Sequence, residues 1–261
     1  GKRAMVAMKH VGLNVAADAF INSAVTGVNG GLVVVAADDP SMHSSQNEQD
    51  SRFYGRFALV PVFEPRNQQE AYDMVFDAFD LSEKYRLPVL FRITTRLAHS
   101  RAPVMRRAPR AQNSTHLPSD PRQFVLLPAI ARKQYRALTS LFEKLSDEPL
   151  LAGYNRLSIG RGRGTGIITC GIAFNYLMEN IDGHEDDYNI LSVAAYPLNK
   201  AIVAELVENC DRVLLLEEGY PFIEEQLRGL LDRDVKVLGR MDGTVPRDGE
   251  LNPSIVAAAL G

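Results

Sequence analysis

Cysteine is scarce in this sequence: Cys170 and Cys210 are the only two among 261 residues, and no Cys-x-x-Cys pair occurs. That excludes a disulfide framework, a zinc site or an iron–sulfur cluster built from this chain, and it makes a reducing cytoplasmic setting the natural expectation. Long apolar runs are missing too. The longest, such as Leu32 to Ala37 and Val213 to Leu216, fall far below the ~18 residues that read as a membrane-spanning helix. Lys9 and His10 interrupt the apolar stretch behind the basic start, so no secretory signal is read there. Nor is there a surplus of positive charge: 29 basic residues face 32 acidic ones, for a net charge of −3. A nucleic acid or other polyanion is not the expected partner.

What is present is ordinary globular composition, 46% apolar and 23% charged, enough for a packed core in one large domain or two small ones. Short runs rich in Val, Ile and Leu recur: Arg3 to Met8, Gly31 to Ala37, Ala58 to Phe63, Pro88 to Thr95, Gly166 to Ile172, Ile190 to Ala195, Arg212 to Leu216 and Val235 to Leu238. Their near-continuous apolar character suits strands covered on both faces, so the expected class is α/β with parallel sheets. Helical periods lie between them, at Asn14 to Val25, Asn67 to Arg86, Ala129 to Leu145, Leu198 to Asn209 and Pro221 to Leu231. The second is the clearest, with Asn67 as cap, Glu70 three residues on, and Ala71, Met74, Val75, Ala78 and Phe79 on one face.

Between Ser100 and Gln123 the pattern fails. Pro103, Pro109, Pro118 and Pro121 interleave with five arginines, and Asp120 is the only acid. This reads as a solvated linker between two modules, residues 1–99 and 124–261, with 100–123 between them, contact with an acidic partner or a cofactor phosphate being the alternative.

In open parallel sheets ligands collect beyond the carboxyl ends of the strands. The segments there are Lys9 to Asn14, Asp38 to Arg52 and Thr94 to Arg101. They offer cations for a carboxylate, and imidazoles and amides to orient a carbonyl, a rim that suits a small anionic oxo acid. Asp38–Asp39 and Glu185–Asp187 are more simply solvated acids than Mg²⁺ ligands, so no metal site is assigned. The glycine-rich stretch Gly160 to Gly166 precedes a strand instead of following one, which makes it a strand-entry loop and not a phosphate cradle. No Gly-x-Ser-x-Gly elbow and no His-Glu-x-x-His motif occurs.

The strings MKHVGLN (8–14), MHSSQNEQDSR (42–52) and TTRLAHSR (94–101) closely resemble the α subunits of indolepyruvate:ferredoxin oxidoreductases, a thiamine-diphosphate family. GIITCGIAFNYL (166–177), ILSVAAYPLN (190–199) and VLLLEEGYPFIEEQLR (213–228) are similar to that family's transketolase C-terminal-type domain. The resemblance implies a partial pyrimidine-binding domain followed by a transketolase C-terminal-like one. It implies oxidative decarboxylation of aryl 2-oxo acids such as indolepyruvate, with coenzyme A and ferredoxin, to aryl-acetyl-CoA. By position in the motifs, Lys9, His10, Asn14, His43, Ser44, Gln46, Asn47, Arg52, Arg96 and His99 would line the thiamine and substrate side.

The same family carries an activating glutamate ahead of this stretch, a Gly-Asp-Gly motif for Mg²⁺ and cysteine ligands for iron–sulfur clusters. None of these is found here, and the first residue is not Met. The expectation is therefore a fragment or split subunit, inactive alone, that shares thiamine diphosphate and Mg²⁺ with other domains or subunits. A related pyruvate or oxoglutarate enzyme and a non-catalytic assembly module remain as alternatives.

Overall fold

Most of the Val, Ile and Leu runs become strands of two five-stranded sheets in the computed structural model, which describes residues 1–227, 235–246 and 249–261. In the first half, β1 (Ala4–Lys9) leads into α1 (His10–Val15) and α2 (Ala17–Thr26), followed by β2 (Leu32–Asp38), α3 (Arg52–Ala58), β3 (Val62–Phe63), α4 (Gln68–Tyr85), β4 (Val89–Thr94) and α5 (Thr95–His99). In the second half come α6 (Pro128–Leu145), α7 (Pro149–Ala152), β5 (Arg156–Ser158), β6 (Thr165–Cys170), α8 (Ala173–Ile181), β7 (Asn189–Val193), β8 (Ala195–Tyr196), α9 (Lys200–Glu208), β9 (Arg212–Leu216), α10 (Phe222–Leu227), β10 (Lys236–Leu238) and α11 (Pro253–Leu260). The end of the helix expected to run to Leu231 lies outside the described residues.

The first sheet has the order β1-β2-β4-β3-β8 and the second β10-β9-β6-β7-β5. All pairings are parallel except the last in each, where β8 joins β3 and β5 joins β7 antiparallel. The fold is α/β with two parallel-dominated sheets, as composition and periodicity imply. The antiparallel edges were not legible, because strands of two or three residues carry no period.

Two local differences have plain causes. The run from Ala58 to Phe63 is not one strand: Ala58 still belongs to α3, Leu59 closes the helix at φ 60°, and Pro61 has no N–H to give a ladder, leaving Val62 and Phe63 to pair. The first helix begins at His10, directly off β1, and breaks at Ala16 before α2 resumes. Its close fold-back needs Gly12, where a Cβ would stand 2.9 Å from the Met8 side chain. By contrast α4 forms as its pattern indicates, with the Asn67 side chain accepting from the Glu70 N–H at 2.9 Å.

The sheets share one apolar interior. Along β9, Val213 and Leu215 face a core that also holds Val33, Phe63, Leu90, Ile168 and Leu191, whereas Leu214 and Leu216 face a second cluster with Leu177 and Val256. That is the two-residue alternation of a strand covered on both sides. Chain from the second half also completes the first sheet, since β8 pairs with β3, and α6 packs on α2. The basic stretch is mostly exposed, yet part of its charge has an internal partner. Arg107 donates to Asp77 at 3.0 Å and lies 4.8 Å from the Phe76 ring centre, and Arg110 bonds Asp80, both on the acidic face of α4. Among the described residues no helix is long and apolar enough to cross a membrane.

Candidate functional site

Parallel register brings the three candidate segments to one sheet edge. Lys9 of β1 stands opposite Ala37 of β2, and Asp38 of β2 opposite Thr94 of β4, so the chain leaves all three strands on the same side. The loop after β2 is then shaped by Asp39. Its carboxylate accepts from the N–H groups of His43 (3.2 Å) and Ser44 (3.0 Å) and from the hydroxyls of Ser45 (2.6 Å) and Thr95 (2.8 Å). Lys9 Nζ completes the set at 3.3 Å, and also donates to the Ser44 carbonyl at 2.9 Å and its hydroxyl at 3.0 Å. Burial works against the charge, but these donors hold the Asp39 carboxyl well below the ordinary carboxylate range. Lys9 and Ser44 are thus fixed together by a residue that the motif reading did not assign.

His43 and Arg96 meet through another unassigned acid. Glu250 places one carboxylate oxygen 3.2 Å from His43 Nε2 and the other 2.5 Å from an Arg96 terminal nitrogen. The pair raises the Arg96 guanidinium above its usual value. Nearby Glu218 is pushed up to about 6 by burial, with the Thr94 hydroxyl and the Arg92 guanidinium opposing the shift. Tyr176, whose buried hydroxyl has no hydrogen-bond partner, lies within electrostatic reach of Glu218, Arg96 and Glu250.

Arg52 does not stand on this rim. It is fully buried beneath it, donating to Asp50, to Glu217 at 2.9 Å, and to the carbonyls of Glu218 (3.2 Å) and Tyr220 (3.0 Å). Arg92, equally buried, donates to Asp38 at 2.6 Å, to Glu64, and to the Glu218 carbonyl at 2.8 Å. Tyr196 closes the network on Glu64 at 2.6 Å. Two guanidiniums thus face Asp38, Asp50, Glu64 and Glu217. Burial raises Asp38 and Glu217 despite their arginines, whereas Arg52 and Arg92 hold Asp50 down against the same effect.

The remaining candidates are scattered around the edge. His10 is 1% exposed, and neither ring nitrogen has a hydrogen-bond partner. Asn14 is exposed and accepts from the Tyr54 hydroxyl at 2.9 Å. Gln46, Asn47 and His99 are exposed, Asn47 bonding Gln49 within its own loop at 3.2 Å. Both cysteines are buried, and burial pushes the Cys170 thiol far up, which removes it as a nucleophile. Among the described residues no three His, Cys, Asp or Glu side chains are grouped to hold a metal ion. Glu217 and Glu218 had a sequence signal, two acids closing an apolar strand. Glu250 had none, because it lies in a loop far along the chain.

No family model matches the sequence. It is 41% identical to indolepyruvate oxidoreductase subunit IorA of Methanothermobacter marburgensis over 266 residues, covering 100% of this chain and 43% of that protein. It is 40% identical to the subunit of the same name from Archaeoglobus fulgidus, covering 42% of it, and 38% identical to that of Thermococcus kodakarensis, also covering 42%. The chain therefore spans less than half the length of the relatives it matches. Among solved structures it superposes, with a TM-score of 0.71 and 14% identity, on a 2-oxoglutarate:ferredoxin oxidoreductase from Magnetococcus marinus with 2-oxoglutarate, coenzyme A and succinyl-CoA bound, covering 100% of this chain and 53% of that one. It also superposes on a split-gene transketolase at a TM-score of 0.57 and 13% identity, covering 98% of this chain and 74% of that one. These two likenesses support the fold.

Proposed function

Because the chain belongs to the indolepyruvate oxidoreductase IorA family, we propose that it forms part of a thiamine-diphosphate-dependent enzyme that oxidatively decarboxylates aryl 2-oxo acids to aryl-acetyl-CoA and passes the electrons to ferredoxin. Residues 1–99 serve as part of the pyrimidine-binding domain, 100–123 as the strap between modules, and 124–261 as the transketolase C-terminal-like domain. The observation that carries this reading is the meeting of Lys9, His43, Ser44 and Arg96 at one sheet edge through Asp39 and Glu250, in a chain matched end to end by IorA subunits.

The residues present fit one side of the cofactor. His10 keeps two buried, unpartnered ring nitrogens at the edge, a demand that a heteroaromatic ring or a substrate carbonyl would meet. The diphosphate side and its Mg²⁺ are assigned to parts outside this chain, since the described residues offer no metal-ligand group. The iron–sulfur clusters are likewise assigned to other domains or subunits. When bound, thiamine diphosphate supplies the nucleophilic carbon and the electron sink that decarboxylation of a 2-oxo acid requires. This chain's own part is to bind and orient. Arg96 and His43 face the substrate carboxylate, Lys9 and the Asp39-ordered loop hold the rim in shape, and His10 follows Lys9 directly as a buried imidazole. Asn14, Gln46, Asn47 and His99 supply exposed polar side chains in the same segments. Arg52 acts from below, holding the loop in place. The reduced thiols of Cys170 and Cys210 suit a cytoplasmic location.

The deciding experiment uses the complete oxidoreductase and follows ferredoxin reduction with indolepyruvate, pyruvate and 2-oxoglutarate. Indolepyruvate is expected to give the highest kcat/KM, and His43→Ala to lower that value by about tenfold with assembly intact. Preference for pyruvate or 2-oxoglutarate would move the chain to a sister activity. Unchanged cofactor binding and turnover in a complex lacking this chain would make it an assembly module.

A further inference from the structure

Glu250 occupies a position that a ligand should want. Its two oxygens engage His43 at 3.2 Å and Arg96 at 2.5 Å, the arrangement in which that imidazole and guanidinium would hold a foreign carboxylate. The imidazole and the guanidinium are open to solvent, with side chains 50% and 47% exposed, while the acid between them is 13% exposed. An incoming anion can therefore reach both groups without unfolding anything. With the basic partner half exposed, solvent screens each pair and lowers what it holds.

The way Glu250 is anchored separates its backbone from its carboxylate. Its own N–H donates to the Ser41 hydroxyl at 2.6 Å, and the preceding Gly249 donates to Glu48 at 3.1 Å and accepts from Arg240 at 2.8 Å. None of these bonds uses the Glu250 side chain, so the carboxylate can leave while the segment stays latched to the histidine loop. One neighbouring acid opposes the position: repulsion between Glu218 and Glu250 helps to raise Glu218, and the buried Tyr176 hydroxyl, within electrostatic reach of both, has no hydrogen-bond partner.

We propose that Glu250 is a built-in occupant of the subsite for a ligand's carboxylate, and that a 2-oxo acid binds by displacing its side chain from His43 and Arg96. The inference rests on the reading that this edge receives a 2-oxo acid, and it adds what limits the affinity. No covalent step is involved. One carboxylate replaces another on the same imidazole and guanidinium, and the displaced side chain turns to solvent. The apparent affinity is lowered by the fraction of molecules in which Glu250 holds the site.

The test measures KM and kcat for indolepyruvate in the complete enzyme carrying E250Q, E250D or R96A, with thermal unfolding of each as a check of integrity. E250Q is expected to lower KM by about three- to tenfold with kcat nearly unchanged. E250D, which draws the carboxylate back by one methylene, should shift KM in the same direction by less. R96A should raise KM. An E250Q or E250D KM that stays put or rises, while R96A raises it, overturns the displacement and leaves the proposed function standing. An unchanged KM in R96A overturns the reading of the edge itself, and the inference with it.

Discussion

Arg52 and Glu217 are 165 residues apart in the sequence, yet their side chains meet at 2.9 Å with almost no access to solvent. The contact ties α3, behind the histidine loop, to the end of β9 in the other sheet. Glu217 in turn accepts from the N–H groups of Ile223 (2.9 Å) and Glu224 (3.1 Å), so one carboxylate links the two halves and caps the start of α10. The candidate rim is therefore built on a buried ionic floor.

Removing one member of that floor leaves the others uncompensated. Arg52→Met should cost about 3 to 5 kcal/mol, because Asp50 and Glu217 would stay buried without their guanidinium. Urea unfolding near neutral pH measures the loss. The double variant Arg52→Met/Glu217→Met should fall short of the sum of the single changes, and strict additivity would show that the pair is not coupled.

Asp39 organises the loop through charge. Asp39→Asn should cost about 2 to 3 kcal/mol at neutral pH, as Lys9 and the backbone donors of His43 and Ser44 lose an ionised acceptor. The native carboxyl is held below its unfolded value, so its contribution is complete above that value and disappears as pH falls through the lower folded one. The stability gap between the native chain and the variant should accordingly narrow on acidification. A gap that is flat with pH would count against the ionised form as the organiser.

Glu218 has the opposite sign. Burial raises it to about 6 in the folded state from an ordinary value of 4.5, so the folded protein holds the proton more tightly than the unfolded chain. Stability should fall as pH rises through that interval, by roughly 2 kcal/mol in total. Glu218→Gln should abolish this loss. Unfolding of both proteins at about pH 5 and about pH 8 checks it, and an equal pH response in the two would exclude Glu218 as the source.

Gly55 marks the tightest packing under the loop. A Cβ there would stand 2.1 Å from Val62 Cγ2, so Gly55→Ala forces α3 away from β3 and should cost about 1 to 3 kcal/mol. Val62→Ala removes the clashing methyl and should recover part of the loss when the two changes are combined. A denaturation midpoint for Gly55→Ala equal to that of the native protein would show that the helix yields freely.

Local pattern was enough for much of this protein. The apolar runs of β2, β4, β6 and β9 and the capped period of α4 declare themselves because each is a short-range consequence of side-chain size and spacing. The strings around His10, His43 and Arg96 were also visible, and the parallel order of their strands placed them on one edge. What those side chains do there was not visible. Arg52 closes a polar loop motif, and only the arrival of Glu217 and the carbonyls beyond β9 shows it to be buried. Asp39 reads along the chain as a solvated acid, whereas it is buried and its donors come from three strand ends. The arginines of the basic stretch looked like solvated charges until the acidic face of α4 came beneath Arg107 and Arg110. Glu250 had no local signature at all.

The division follows from range. Propensity, capping and the two- and 3.6-residue periods act between residues a few positions apart, so they can be read along the chain. The burial of a charge, the partner that neutralises it and the acid that meets an imidazole and a guanidinium depend on which distant segments share a space, and that is settled only when the two sheets close on one another.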